Sequence, residues 1–460
     1  MAGARVRIVV GVVAVAFWQA ACAAYAGEPG GEPPKVLRLT LDEAVRRAVL
    51  ASEEIDAAEA GVDAARGRLA QARGGRLPAI EATLTAGPSP RARGDQVMSP
   101  DDAYRWAITG VFGRAEVRVI QPLYTFGKIA AGQAAARAGI DAARAELLGR
   151  AAETSQRTIQ AYLGLLLARD ALGLVAEIEN EVEKALERRR AQGADEADIG
   201  LLRLETFAAE AERGRVEAEA GVEMARAALA LLVDAPPGVV VEPAEESLAR
   251  SAPSEAPRQA LEAYLRDIES RRPEFAQLRA GIAGREAEAE LAAAERKPTV
   301  FVAGFVDVTG ATNRERIHNP FVVDPLGHQF AGAVVGVRWT FDFGQGGKVS
   351  EARAEAARLA AQQAAARRGL PLEVRRAYID LERALREADA LERAFRTARR
   401  WTAAAAAAAD LGVEDAFREY ARHRADWFRA LYNVRLAEAN LRHAAGLDAE
   451  ALAPLVLASK

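Results

Sequence analysis

Few residues in this chain have the types or spacing that chemistry needs. There are four histidines and one cysteine in 460 residues. His318 and His328 share one loop-like stretch, and His423 and His443 stand on a helical one. Two loop histidines are more often plain surface than a metal site, and no HExxH pair or Ser/His/Asp order accompanies them. The run Gly344-Gln345-Gly346-Gly347-Lys348 follows a strand and opens a helix, as a phosphate loop does. It lacks the GxxxxGK[ST] spacing, so a bend from strand to helix is the better reading. No catalytic residue, cofactor or metal is expected, and the chain does not read as an enzyme. A net charge of -4 without a basic patch argues against nucleic acid.

Patterned charge appears instead on alternating stretches. Arg114, Glu116 and Arg118 interleave with Ala115, Val117 and Val119. Arg338 and Asp342 interleave with Val337, Trp339, Phe341 and Phe343 in an expected strand over 333–343. A strand with one charged and one apolar face borders water on one side only. Lipid is one candidate for the other side, with Val337, Trp339, Phe341 and Phe343 towards it and Arg114, Glu116, Arg118, Arg338 and Asp342 lining a pore. A soluble sheet packed on helices is the alternative.

The elements that carry these strands occur twice. Residues 117–147 pass from strand through an aromatic-glycine junction into an Ala-rich helix, and residues 335–363 do the same. Landmarks keep an offset that agrees within four residues: Glu54 to Glu274 and Pro78 to Pro298 are each 220 residues, Phe126 to Phe343 is 217, Tyr162 to Tyr378 is 216, and Gly193 to Gly412 is 219. That period is too long for a solenoid and marks a duplicated half-molecule.

The expected division follows. Residues 1–26 read as a signal peptide, with Arg5 and Arg7, an apolar run from Ile8 to Trp18, and Ala24-Tyr25-Ala26 as the cleavage pattern. Lipidation of Cys22 is the alternative to its removal. Residues 27–39 are a Gly/Pro-rich linker and 40–233 the first repeat. Residues 234–257 form a Pro-rich link, and 258–460 the second repeat.

Within the first repeat, Thr40 and Glu43 have capping-box spacing, and a helix is expected through Ala72. A strand over 80–86, a polar loop to about Thr109 and a returning strand that ends at Phe126-Gly127 follow, then a long helix to about Gln192, a turn at Gly193 and a helix from Ala197 to Val233. The second repeat reads as a helix over 258–296 interrupted near Pro273, a strand over 299–308, the strand over 333–343, a helix to Asp410, a turn at Gly412 and a last helix to Ala445. Leu370, Val374, Ala377, Leu381, Ala384, Ala388, Leu391 and Phe395 form a heptad seam. Pro371 should kink or break that helix.

The long helices carry Glu and Arg every few residues and belong in water, while four strands cannot close a barrel alone. Several copies could each contribute four strands.

These features resemble the TolC family of outer-membrane efflux proteins. The matching stretches are LTLDEAVRRAV at 39–49, LP at 77–78, QPLYTFGK at 121–128, RPEF at 272–275 and WTFDFGQGGK at 339–348. The resemblance covers nearly all of the mature chain. It implies a mixed fold of antiparallel coiled-coil hairpins and four transmembrane strands per chain. It also implies a homotrimer with a 12-stranded barrel and an α-helical periplasmic tunnel. The implied function is a passive exit duct of a tripartite efflux or type I secretion system, partnered by a periplasmic adaptor, an inner-membrane transporter and outer-membrane lipid. The implied hairpin tips hold Gly193, Asp195, Gly412, Glu414, Asp415 and Arg418, as adaptor contacts or gate. Some members gate with aspartates six and nine residues past the second tip glycine; here those positions are Arg418 and Ala421, so no cation ring is carried over. A periplasmic coiled-coil or adaptor-like protein, anchored through Cys22, is the alternative.

Overall fold

Period-2 segments form sheet and helical-period segments form helix, in the same order twice. The computed structural model describes residues 35–91, 108–193, 197–248, 259–315, 318–408 and 413–457. The leader with Cys22, most of the two expected linkers, Asp195 and Gly412 lie outside the described residues. The first half contains β1 (Val36–Leu39), α1 (Leu41–Leu50), α2 (Glu53–Gly74), β2 (Ala79–Pro90), β3 (Ile108–Tyr124), α3 (Lys128–Ala191), α4 (Ile199–Leu232) and β4 (Val240–Pro243). The second contains α5 (Leu261–Leu265), α6 (Ile268–Arg271), α7 (Pro273–Glu295), β5 (Thr299–Ala311), β6 (His328–Arg338), α8 (Gln345–Ala408), α9 (Val413–Ala444) and α10 (Leu447–Leu457).

The chain packs as two units. One takes in Met1–Ser52, Thr154–Pro257 and Asp380–Ala439; the other takes in Glu53–Glu153, Arg258–Ile379 and Asn440–Lys460.

In the first unit β1 and β4 pair in parallel, Val36 opposite Val240. Leu39 and Val241 are buried with Tyr162, Leu163 and Leu166 of α3 and Leu229 of α4. The Tyr162 hydroxyl donates to the Leu39 carbonyl at 2.9 Å, and Arg47 Nε donates to the Val233 carbonyl at 2.8 Å. Residues 36–39 and 240–243 are therefore strands, not linker. Four residues flanked by prolines are too short to show a period in sequence, and only the partner strand reveals them. The capping box is present: Thr40 Oγ1 accepts from Glu43 N at 3.3 Å and Thr40 N donates to Glu43 Oε2 at 2.9 Å. The expected single helix is broken at Ala51-Ser52 into α1 and α2.

A second core in this unit joins two helical hairpins. Leu174, Ile178 and Val182 of α3 meet Leu204 and Phe207 of α4, Ala398 and Ala405 of α8, and Phe417 and Tyr420 of α9. Every residue of the heptad seam is buried or half-buried.

The second unit holds the four-stranded sheet, ordered β2-β3-β5-β6 and antiparallel throughout. Each repeat supplies one hairpin, and β3–β5 is the seam between repeats. Register shifts occur at Ser89/Pro90 and Pro122/Tyr124, where a proline cannot donate to the ladder. β6 ends at Arg338, five residues short of the expected strand, so Trp339, Phe341, Asp342 and Phe343 lie beyond it.

The helix α8 runs through Pro371 without a break, so of the two outcomes expected at this proline the break does not occur. Proline removes one N–H from the ladder, and buried Leu370 and Val374 on either side hold the helix against that loss. Gly446, at φ +75°, stops α9 and starts α10, an element not expected from sequence.

Arg272 ties the start of α7 to the end of α9. It is buried, holds Glu274 through two bonds of 2.9 and 2.8 Å, and donates to the helix-end carbonyls of Ala444 at 3.1 Å and His443 at 3.3 Å, the latter also accepting from Gly446 N at 2.9 Å. Arg272→Ala removes all of these, and thermal unfolding should show a loss of about 3 kcal/mol. Arg272→Lys, keeping charge without the planar fork, should recover less than half of it.

Candidate functional site

Two places collect the residues singled out in sequence. The first is the sheet. Antiparallel register places Glu81, Thr83 and Thr85 of β2 beside Arg118, Glu116 and Arg114 of β3, and these beside Phe305, Asp307 and Thr309 of β5. The charges form one network. Arg114 grips Asp307 through Nε–Oδ1 at 3.1 Å and Nη2–Oδ2 at 2.6 Å, and Glu116 lies 3.3 Å from Arg114 and 2.7 Å from Arg118. Thr309 Oγ1 donates to Asp307 at 3.3 Å, and His328 Nε2 lies 3.5 Å from the same carboxylate. The structure thus brings Arg114, Glu116 and Arg118 together across the repeat seam. It adds Asp307, which sequence reading missed because the flanking VFVAGFV is apolar on both faces.

The other face of the same sheet is apolar. Ile80, Ala82 and Leu84 align with Val119, Val117 and Ala115, then with Gly304, Val306 and Val308, then with Ala333, Ala331 and Gln329. Ile80, Leu84, Val117, Val306, Val308, Val335 and Val337 are all exposed. An apolar face this wide is costly against water and suited to hydrocarbon.

Arg338 and Val337 end β6 on opposite faces. Trp339 stacks on Phe341 at 4.7 Å and donates Nε1–H to the Arg296 carbonyl at 2.9 Å, and Phe343 is fully exposed. Asp342 lies beyond the strand and caps a turn: its Oδ1 accepts from Gly344 N at 2.8 Å, with Lys348 at 3.5 Å. The pattern extended past Arg338 because the apolar-polar alternation continues into the turn, where Asp342 finds a local partner instead of a strand neighbour.

The second place is the end of the helical hairpins in the first unit. Gly193, at φ +86°, donates to Arg190 O at 3.0 Å and stops α3. Asp198 caps α4 through Leu201 N at 2.8 Å, and its bond to Arg189 holds its carboxyl below the usual range. Glu414 is buried, with Arg203 Nε 2.5 Å from Oε1 in an ion pair off the axis of a directed hydrogen bond. Arg203 Nη2 lies 3.2 Å from Asp415. Arg418 bridges Asp415 at 3.3 Å and Glu210 at 3.4 Å while its guanidinium sits 5.4 Å from the Phe207 ring. Glu414, Asp415 and Arg418 are therefore one charge ladder, completed by Arg203 and Glu210 of α4. Those partners lie about 210 residues away and left no local sequence signal. Below them Tyr420 donates to Glu177 at 2.7 Å, and Arg424 contacts both.

Among the described residues no group of three or more His, Cys, Asp or Glu is placed to hold a metal ion. His318 and His328 are not part of such a group, and His328 instead meets Asp307 and the Asp324 carbonyl.

The family model for outer membrane efflux proteins matches residues 44–197 and 264–447, one span in each repeat. Among solved structures, the chain is similar to the open state of the MtrE outer membrane channel of Neisseria gonorrhoeae, at 17% identity and TM-score 0.71, covering 92% of this chain and 94% of that one. It is similar to the outer-membrane channel OprN at 18% identity and TM-score 0.70, covering 92% and 95%. The CmeC outer membrane channel of Campylobacter jejuni matches at 13% identity and TM-score 0.68, covering 91% and 90%. At these identities the likeness establishes the fold. No curated protein matches at the level of sequence.

The Tyr420 phenol reports on the hairpin cluster. Burial, then the Glu177 bond, pushes it up to about 12 from an ordinary 10.0. A raised acid contributes stability that is complete below its unfolded value and lost as pH rises through the folded one. Tyr420→Phe should therefore cost about 1 kcal/mol at neutral pH. The wild-type-minus-variant absorbance spectrum should place one phenolate transition near 12.

Proposed function

The chain belongs to the outer membrane efflux protein family and is an outer-membrane efflux channel; on that premise we propose that three copies close one barrel and act as a passive exit duct. A single observation carries the proposal: a four-stranded sheet with one exposed apolar face, one charged face and two unpaired edges, β2 and β6. In hydrocarbon each unpaired backbone group costs several kcal/mol, so β6 of one copy pairs with β2 of the next until the sheet closes. Three sheets of four strands make a barrel of twelve.

In this reading Val337 and its apolar neighbours face lipid, with Trp339, Phe341 and Phe343 in the interfacial girdle. Arg114, Glu116, Arg118 and Arg338 line water. The duct makes and breaks no bond. Its work is confinement and gating, and the driving energy comes from an inner-membrane transporter joined through a periplasmic adaptor. The ends of the helical hairpins, where Gly193, Glu414, Asp415 and Arg418 lie, meet that adaptor. The Arg203–Glu414, Arg418–Glu210 and Tyr420–Glu177 contacts hold the resting arrangement.

Single cysteines at Val337 and Arg338, probed in native membranes, test the wall. The lipid-phase thiol reagent should label Val337→Cys and the water-soluble one Arg338→Cys; equal labelling of both by the soluble reagent removes the barrel. Arg418→Glu replaces attraction by repulsion at Glu210 and Asp415. Since exposed pairs are each worth ~1 kcal/mol or less, the open population in planar bilayers should rise about fivefold. An unchanged open population removes these pairs from the gate.

A further inference from the structure

The face of the sheet assigned above to water is not uniformly polar. On β2 and β3 it carries Glu, Thr and Arg, with Phe112 laid over Gly87 near one end, and on β5 and β6 it carries three further aromatic rings. Phe301 pairs with Gly336 and Phe305 with Gly332. Each ring lies across the glycine of the next strand, so closely that a Cβ at either glycine would stand 2.7 Å from the ring Cζ. An aromatic laid over a cross-strand glycine turns one π face to the backbone and the other outward. Phe330 continues the row, stacked on Phe305 with centroids 5.3 Å apart, and is 59% exposed. Arg338 closes it at the other end, its guanidinium 5.2 Å from the Phe301 centroid. Arg114 and Arg118 are each tied to a carboxylate, whereas Arg338 makes no ion pair among the described residues.

We infer that Phe301, Phe305, Phe330 and Arg338 form a binding strip on the lumenal wall for organic anions that carry an aromatic ring. This rests on the channel reading above and names a cargo class for it. The rings offer stacking surface at little cost in side-chain freedom, because Gly332 and Gly336 fix them flat. The guanidinium supplies paired N–H donors for a carboxylate or sulfonate, and being stacked on Phe301 it is already desolvated on one side. The Phe–Gly pairs also pin strand register, but conducting water needs neither outward π faces in a row nor a guanidinium stacked at their end. A small inorganic ion has no use for the rings, and an aromatic cation would meet Arg338 as a like charge. The Phe305–Phe330 pair and the Phe301–Arg338 pair are two successive stations, so a ligand can pass from one to the other without losing all contact.

The test uses the purified full-length channel in planar bilayers, carrying KCl current. The probes are naphthalene-2-sulfonate, methanesulfonate and neutral 2-naphthol. Naphthalene-2-sulfonate should block the wild-type current transiently, with methanesulfonate weaker by about tenfold or more, as the loss of one stacked ring implies. The double variant Phe301→Leu/Phe305→Leu keeps apolar volume and should keep the KCl conductance while weakening the arylsulfonate block about tenfold. Arg338→Gln should weaken the arylsulfonate block and leave that of 2-naphthol unchanged. Equal block by methanesulfonate, or block indifferent to the leucine pair, overturns the inference and leaves the channel standing. Arg338→Gln that lowers the heat stability of the oligomer and leaves the block intact assigns Arg338 to a neighbouring subunit's carboxylate instead, and also overturns it. A wild type with no KCl conductance overturns the channel reading, and the strip with it.

Discussion

An open sheet edge has no place in hydrocarbon, and that constraint orders the rest of this molecule. The four strands run 12, 17, 13 and 11 residues, enough to cross an outer membrane at a tilt. Yet β2 and β6 each present a row of unpaired N–H and C=O groups. Water would satisfy them, but water would also meet the apolar face of Ile80, Leu84, Val117, Val306 and Val335. Neither solvent suits one copy alone. The sheet becomes stable only where lipid covers one face, water the other, and further strands the edges. In the closed-barrel reading proposed above, assembly is a condition of folding for this part of the chain.

Duplication halves that problem. Two separate hairpins would expose four edges, while β3 pairing with β5 removes two of them over twelve residue pairs. The strongest ion pair of the sheet lies on this junction: Arg114 from one repeat is held by Asp307 from the other, with both donor positions used. A bidentate pair fixes register as well as proximity, and a slip of one residue would send every valine of β5 to the charged face. The helices answer a different demand. Ala at the seam positions Ala384, Ala388, Ala398 and Ala405 permits close approach, and Glu and Arg on the remaining faces keep the long helices in water.

Legibility in the sequence followed the length over which a period could be read. The long helices and the hairpin strands were legible to within a few residues because dozens of positions repeat one spacing. The strands Val36–Leu39 and Val240–Pro243 were not, since four residues make no period and their partner lies two hundred residues away. In β5 both faces are largely apolar, so the face that carries Asp307 could not be told from the other without the register of β3. Arg114, Glu116 and Arg118 were legible as one charged face. Their partner Asp307 and the Arg203 and Glu210 partners of the hairpin ladder were not, because ion pairing between distant segments leaves no trace in local spacing.

The two repeats make the same bend from strand to helix by different chemistry, and this explains where the alternation misleads. In the first, Phe126 at φ +50° and Gly127 at φ +94° turn the chain within two residues, and α3 begins at Lys128. A non-glycine residue with positive φ is strained, and the edge-to-face contact of Phe126 with Tyr124 at 4.5 Å stabilises it. In the second, no residue of 339–348 has positive φ; the turn is made by the Asp342 carboxylate capping Gly344. A side-chain cap needs more chain than a left-handed pair, so β6 stops at Arg338 and five residues pass before Gly344. Those five retain the apolar-polar alternation because Trp339 and Phe341 stack on each other and Trp339 reaches the Arg296 carbonyl. Alternation there records a packed turn at the border of sheet and helix, where amphipathic aromatics are favoured whether or not the backbone is a strand.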